Sequence, residues 1–329
     1  MLQLTENKFC AFGINLRKAP FFCSMSSAAQ HTAWVKQLAQ EAGFLACGIA
    51  TLRRLDEEEA PLKEWLQRGF HGKMQYMENH FEKRLDPRLI LPGATHLVLF
   101  LYNYSPAEPQ KADVPKIARY AWGEDYHRVI KDKLHSLAGE LQSHTGSFEY
   151  RVFTDSAPIM ERQWAQLAGL GWIGKNSLLL NKQHGSYFFI GSLLCSLEFE
   201  EDKTVTDHCG TCTACIDACP TQAIVADKLI DARKCISYLT IEQHDGLSEE
   251  QQGMIGDRVF GCDICQEVCP WNRFSSPHSE PRFQAGAWIH WTKADWAQLE
   301  ATQFEAHFSQ SPLHRAGYEK VMNSIKHSK

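Results

Sequence analysis

The amino-acid sequence predicts an α+β protein: a mixed helix-and-strand unit followed by a smaller cysteine-rich module. Three observations carry this reading. Segments of helical and strand-like hydrophobic pattern alternate from residue 26 to about residue 200. Eight of the twelve cysteines then fall between Cys209 and Cys269. The last part, 276–329, holds a helical pattern but no comparable motif. With 329 residues, 44% of them hydrophobic and 22% charged, the chain has the composition of a soluble globular protein and the length for a sizeable core. No apolar run approaches the roughly 20 residues that a membrane span needs.

Taken in order, residues 1–25 lack the charged, apolar and small-residue succession of a signal peptide, and Met25 stands just before the first convincing helix. They are expected to be a disordered leader or a start placed too far upstream, and the protein is expected in the cytoplasm. Residues 28–43 place Ala33, Trp34, Leu38 and Ala39 near helical spacing and end at Gly43. FLACGIA reads as a buried strand. Residues 56–70 form a helix with Asp56 as cap and Gly69 as stop. THLVLFLYNY is a strongly apolar strand. EDYHRVIKDKLHSLAGELQSH is an amphipathic helix with Val129, Leu134, Leu137 and Leu141 along one stripe. FEYRVFT is a strand running to Asp155, followed by a helix from Ala157 to Ala168 and the glycine-rich turn GLGWIGKN. Strands around SLLL and SYFFIGSLLCSLEF complete the unit, and one helix is predicted near Lys293–Phe308.

The cysteines define the second module. HCGTCTACIDACPTQAI contains Cys209, Cys212, Cys215 and Cys219 followed by Pro220, the C-x2-C-x2-C-x3-C-P spacing of proteins with two [4Fe–4S] clusters. GCDICQEVCPWN repeats it with Cys262, Cys265 and Cys269, one cysteine short, and Cys235 can supply the fourth. In this pattern three thiolates of a loop cap one cluster and the fourth, before the proline, reaches the other. The predicted sets are Cys209, Cys212, Cys215 and Cys269 for one cluster, and Cys219, Cys235, Cys262 and Cys265 for the other. Zinc sites favour pairs of CxxC over three thiolates at successive x2 spacing. Cys47 and Cys195 sit in apolar surroundings and read as inert core residues, while Cys10 and Cys23 belong to the leader.

Clusters deliver single electrons, so an acceptor is required. No GxGxxG follows a strand, which leaves Rossmann-type nicotinamide or flavin binding unsupported, and GLGWIGK lacks the spacing of a phosphate loop. The net charge of −5 does not advertise a nucleic-acid binder, so any RNA contact needs a local basic face, with 111–133 and the tail GYEKVMNSIKHSK as candidates. Asp155, beside small residues in FTDSAP, reads equally as a proton-donating carboxyl next to a ligand or as the N-cap of the following helix. Tyr126 and His127 are of acid/base type but stand at a helix start, where a structural role is expected. Trp172 and Trp271 are expected to pack in the core.

Four long segments in order, RYAWGEDYHRVI (119–130), FTDSAPIMERQWAQLAGLGWIGKNSLLLN (153–181), CISYLTIE (235–242) and GCDICQEVCPWNRF (261–274), resemble the epoxyqueuosine reductase family. The resemblance runs from about residue 26 to SPLHRAGYEKVMNSI. It implies a cobalamin- and iron–sulfur-dependent enzyme that reduces epoxyqueuosine in the tRNA anticodon to queuosine. The implied divisions are a cobalamin-binding catalytic domain at 26–200, a ferredoxin-like module at 201–275 and a helical tail at 276–329, without the C-terminal helical repeats of many members. It implies Asp155 as proton donor in place of the cap reading. It further implies corrin contacts at Arg84, Ala118, Leu179, Asn181 and Ile190, and bridging positions at Ser237 and Asp263 beside Cys235 and Cys262. From the residues alone Arg84 reads equally as a surface ion pair, and the other positions as ordinary strand or loop residues. An unidentified low-potential electron donor and a monomeric state complete the expectation. The rival readings are a reductive-dehalogenase-like enzyme acting on a small molecule, a pure electron-transfer protein, and an RNA-binding module with structural clusters.

Overall fold

The computed structural model describes residues 26–328, so the leader at 1–25, with Cys10 and Cys23, lies outside the described residues. The chain runs through α1 (Ser27–Glu41), β1 (Ala46–Thr51), α2 (Asp56–Gln67), α3 (Phe81–Leu85), β2 (His96–Asn103), β3 (Lys116–Ile117), α4 (Tyr126–Thr145), β4 (Tyr150–Phe153), α5 (Glu161–Leu167), β5 (Trp172–Ile173), β6 (Leu179–Leu180) and β7 (Phe188–Cys195). The cysteine-rich part contributes α6 (Ala214–Asp217), β8 (Ile224–Ala226), β9 (Leu229–Ile230), α7 (Ile236–Ile241), α8 (Glu249–Ile255), β10 (Arg258–Phe260) and α9 (Ile264–Glu267). The tail forms α10 (Lys293–Ala297), α11 (Ala301–Phe308), α12 (Pro312–Ala316) and α13 (Tyr318–His327). No helix among them is long and apolar enough to cross a membrane.

At the centre lies a four-stranded sheet in the order β1-β2-β7-β4. Every pairing in it is antiparallel, so the unit is α+β despite its alternating elements. The strand β2 is apolar at nearly every position because both faces are covered. Successive side chains point to opposite faces. Val98 and Phe100 meet Val35, Leu38, Val129, Leu134 and Leu137 of α1 and α4, while Leu97, Leu99 and Leu101 meet Trp164 and Ala165 of α5. β4 at the sheet edge therefore ends beside the first turn of α4, which positions the site.

Several element ends differ from expectation for local reasons. Asp56 is the first residue inside α2 and Leu55 holds the cap position, so the four acids of the first turn act on the helix dipole rather than as a cap. Gly69, at φ +64, does terminate that helix. α5 begins at Glu161, not Ala157. In the tail the single expected helix is two, because capping boxes at Thr292/Asp295 and Glu300/Gln303 start separate helices. α12 and α13 follow, and the tail packs Trp296, Phe304, Phe308, Leu313 and Val321 against Ile117, Val259 and Phe260. β3 pairs with β10 in parallel, so strands and core cross the expected boundaries at 200 and 275.

Candidate functional site

Asp155 leaves β4 after Thr154, a buried side chain whose hydroxyl donates to the Ile190 carbonyl at 2.8 Å. Its backbone has φ +51, a left-handed conformation rather than the extended one usual for a helix N-cap. With α5 starting only at Glu161, the N-cap reading has no geometry. Two neighbours hold Asp155. The Tyr126 hydroxyl donates to its carboxylate at 2.7 Å, and its own backbone N–H donates to Glu161 Oε2 at 2.8 Å. Tyr126 is buried, stacked on Phe189 with ring centroids 4.2 Å apart. Burial and then the Asp155 charge push its phenol well above the ordinary range, so it acts as a donor. The structural role expected for Tyr126 thus includes direct contact with Asp155, whereas His127 pairs with Asp125 at 2.7 Å.

Asp155 itself is exposed. Glu161 is pushed up to about 7, by desolvation first and the Asp155 charge second. Its Oε1 accepts from Ser192, a fully buried hydroxyl on β7, at 2.7 Å. Sequence pattern offered no sign of Glu161, which looks like an ordinary acid of a helical turn.

A cavity of about 510 Å³, mouth included, opens beside Tyr126. Its walls include Tyr120 after β3, Tyr126 and His127 at the start of α4, Glu242 after α7, and Arg315 on α12. The Tyr76 phenol lies within electrostatic reach of Asp155, Glu242, Arg315 and Arg84. Arg84 is buried, bonds the Tyr76 carbonyl through Nη2, and leaves Nε with no hydrogen-bond partner. It forms no ion pair among the described residues, so the surface-pair alternative has no support. An unmet buried guanidinium N–H suits a ligand rimmed with amide carbonyls, and the Ser177 hydroxyl is orphaned in the same way. The remaining predicted contacts divide. Leu179 is buried in the core beside α5. The Asn181 side chain is engaged within the fold, donating to the Leu170 carbonyl at 2.7 Å and accepting from Gln183 N at 2.8 Å. Ile190 is partly buried in β7.

The eight module thiols are all free, and Cys212 is the exposed one. Their mutual effects mostly follow the two predicted sets, with Cys215 also acting on Cys265. The charges of Cys269, Cys209 and Cys212 act on Cys215, and with it line one cavity. Cys219 acts on Cys235, and Cys262 and Cys235 act on Cys265. Burial pushes the Cys262 thiol up to about 12, so ligation to a cation is what would hold it as thiolate. Among the described residues no three His, Cys, Asp or Glu side chains are arranged to hold a single ion; four-thiol sets of this kind suit cubane clusters. Cys47 and Cys195 belong to the main core, where burial pushes both thiols up.

Beside the second set lie three of the predicted positions. Ala118, buried, donates its N–H to the Phe260 carbonyl at 2.8 Å. Asp263, also buried and pushed up to about 6 mainly by desolvation, accepts the Arg119 N–H at 2.8 Å. Tyr120 lies within electrostatic reach of both Asp155 and Asp263, and Ser237 acts on Cys235 to lower its thiol against the effect of burial.

Comparison with known proteins follows this geometry. The epoxyqueuosine reductase (QueG) family model matches residues 84–156, and a 4Fe-4S double cluster binding domain matches 208–272. The chain is 49% identical over 304 residues to an epoxyqueuosine reductase of Cyclobacterium marinum, covering 92% of this chain and 97% of that one. It is 42% identical to that of Pseudomonas aeruginosa, covering 88% and 82%. The crystal structure of an epoxyqueuosine reductase with an epoxyqueuosine-modified tRNA-Tyr stem loop matches with a TM-score of 0.84 at 28% identity, covering 91% of this chain and 80% of that one.

Proposed function

The chain belongs to the epoxyqueuosine reductase family, and from that premise we propose that it reduces the epoxide of epoxyqueuosine in tRNA to the alkene of queuosine. The observation that carries this reading is relatedness along nearly the whole chain, together with the eight free thiols of the cysteine module and a carboxylate held by Tyr126. The reaction takes up two electrons and two protons, and the epoxide oxygen leaves as water. The protein is an oxidoreductase.

Cys209, Cys212, Cys215 and Cys269 would hold one cluster, and Cys219, Cys235, Cys262 and Cys265 the other. Cobalamin, when bound, supplies a low-valent nucleophilic metal that the side chains cannot. Arg84 would hold it through its unmet N–H; Ala118, Leu179, Asn181, Ile190, Ser237 and Asp263 are the further contacts proposed. Asp155 is the proposed proton donor to the departing oxygen. Its exposure leaves it accessible to substrate, the Tyr126 hydroxyl orients the carboxylate, and Glu161 holds its backbone. The electrons come from a low-potential one-electron donor. We place the reaction in the cytoplasm and expect a monomer.

The test is anaerobic single turnover of epoxyqueuosine-containing tRNA with reconstituted clusters, cobalamin and a strong chemical reductant. Conversion that disappears when cobalamin is omitted establishes activity and cofactor together. No conversion with both loaded would point instead to a small-molecule substrate. Asp155→Ala should retain iron and cobalamin and lose turnover; unchanged turnover would remove Asp155 from the mechanism.

A further inference from the structure

The turn GLGWIGKN neither lines the cavity beside Tyr126 nor matches a phosphate loop, yet its geometry is tightly specified. It forms the start of the β5–β6 hairpin, in which Trp172 pairs with Leu180 and Ile173 with Leu179. Gly171 lies so close to the opposite strand that a Cβ would stand 2.1 Å from the Leu180 carbonyl oxygen. Gly169, at φ +74, meets the Lys203 carbonyl in the same way, at 2.3 Å. These two positions require glycine, and together they set the residue beside them against the cysteine module.

That residue is Trp172, 1% exposed. Its indole N–H donates to Cys209 Sγ at 3.4 Å. Trp271, two residues after Cys269, packs edge-on against it at 5.1 Å between centroids, and His208, next to Cys209, does so at 5.0 Å. The same hairpin sends Lys175, Asn176 and Leu180 to the cavity lined by Cys209, Cys212, Cys215 and Cys269. The ring is thus enclosed, and its one polar atom is directed at a cluster thiol. The donor comes from the catalytic unit, whereas Cys219 Sγ accepts from the module's own Ala223 N–H at 3.3 Å.

We propose that Trp172 is a positioning residue for electron entry, whose N–H raises the reduction potential of the cluster held by Cys209, Cys212, Cys215 and Cys269. A hydrogen bond to a ligating thiolate draws negative charge off the sulfur. The reduced cluster carries one more negative charge than the oxidised one, so the bond favours reduction. This cluster also has the exposed Cys212, which suits the first acceptor from an external donor. The inference rests on the cluster-binding part of the proposed function and on nothing about the epoxide.

The experiment is an anaerobic potentiometric titration of the holoprotein with dithionite, each cluster taking up one electron, followed by electron paramagnetic resonance. Trp172→Phe keeps an aromatic ring and removes the donor. One of the two midpoint potentials should fall, by about tenfold in that cluster's reduction equilibrium or roughly 59 mV, while the other stays in place and the iron content is unchanged. If the phenylalanine variant does not retain iron, 3-benzothienylalanine installed at position 172 keeps the shape of tryptophan without its N–H and decides the matter. Full iron with both potentials unmoved, or both moved equally, would overturn the proposal while leaving the cluster assignment intact. A wild-type protein that binds no iron would instead sink the functional reading itself.

Discussion

Glu161→Gln should leave the protein relatively more stable at pH 8 than at pH 5, compared with the wild type at each pH. The Glu161 carboxyl sits at about 7 in the folded chain against an ordinary value of 4.5. Between those values the folded protein keeps a proton that the unfolded chain has released. The unfolded state then binds fewer protons, so stability falls as pH rises through this window, with no penalty below it and the full penalty above. At about 1.4 kcal/mol per pH unit the ceiling is about 3 kcal/mol. Because Glu161 is only partly buried as a residue, solvent screening brings this to about 1–2 kcal/mol. The charges facing the carboxyl are Asp155, which raises it, and Arg162, which lowers it. Glutamine carries no charge at any pH, its carbonyl can accept the Asp155 N–H, and the Ser192 hydroxyl can turn to accept from its amide. The assay is anaerobic thermal unfolding of both loaded proteins at both pH values, in which cluster contributions common to both cancel. For a chain of this length the difference between the two differences is about 2–3 °C. An equal variant-to-wild-type difference at both pH values, or a larger gain at pH 5, would refute the argument.

Tyr126→Phe keeps the stack on Phe189 and removes one charge-assisted bond to Asp155, worth about 1.5–3 kcal/mol. Turnover of tRNA substrate should fall by about 10- to 100-fold with iron and cobalamin content unchanged; loss of either would mean that the residue is structural. Cys235→Ser tests the ligand that lies outside both tight loops. Iron should drop by about half, the surviving paramagnetic signal being that of the other cluster, whereas full iron with both signals would exclude Cys235 as a ligand.

What could be read from the sequence was what short spacing encodes. Three cysteines spaced by two or three residues cannot scatter across a fold, so both loops were legible, and the apolar run at β2 was legible because both faces of that strand are covered. Side-chain direction was not. Tyr126 looked like any aromatic at a helix start, and only the meeting of α4 with the end of β4 turns its hydroxyl onto Asp155. Glu161 was hidden by a helix start placed four residues early, which made it a residue of the helical interior rather than the acid that faces back to the preceding loop. In the tail, the break between α10 and α11 has a local signal, the Thr292/Asp295 and Glu300/Gln303 boxes. The apolar pattern runs across that break, and the pattern alone does not show it.

The hairpin that carries Trp172 also bears on how the two halves of the chemistry are kept in register. From one short element, Trp172 reaches Cys209 at 3.4 Å and the Asn176 amide reaches the Cys265 carbonyl at 3.4 Å, so both thiol sets are touched. In the same turn the Ser177 carbonyl accepts from Arg162, the residue after Glu161, whose carboxyl holds the Asp155 backbone. The cysteine module and the loop that carries Asp155 therefore share a common support. A flexible linker would let the clusters and Asp155 drift by ångströms. A two-stranded turn pinned by backbone close approach at Gly171 does not. Little steric freedom in this segment is what the proposed function asks of it: the hairpin would fix the separation between the thiols proposed to hold clusters and the carboxyl proposed to give the proton.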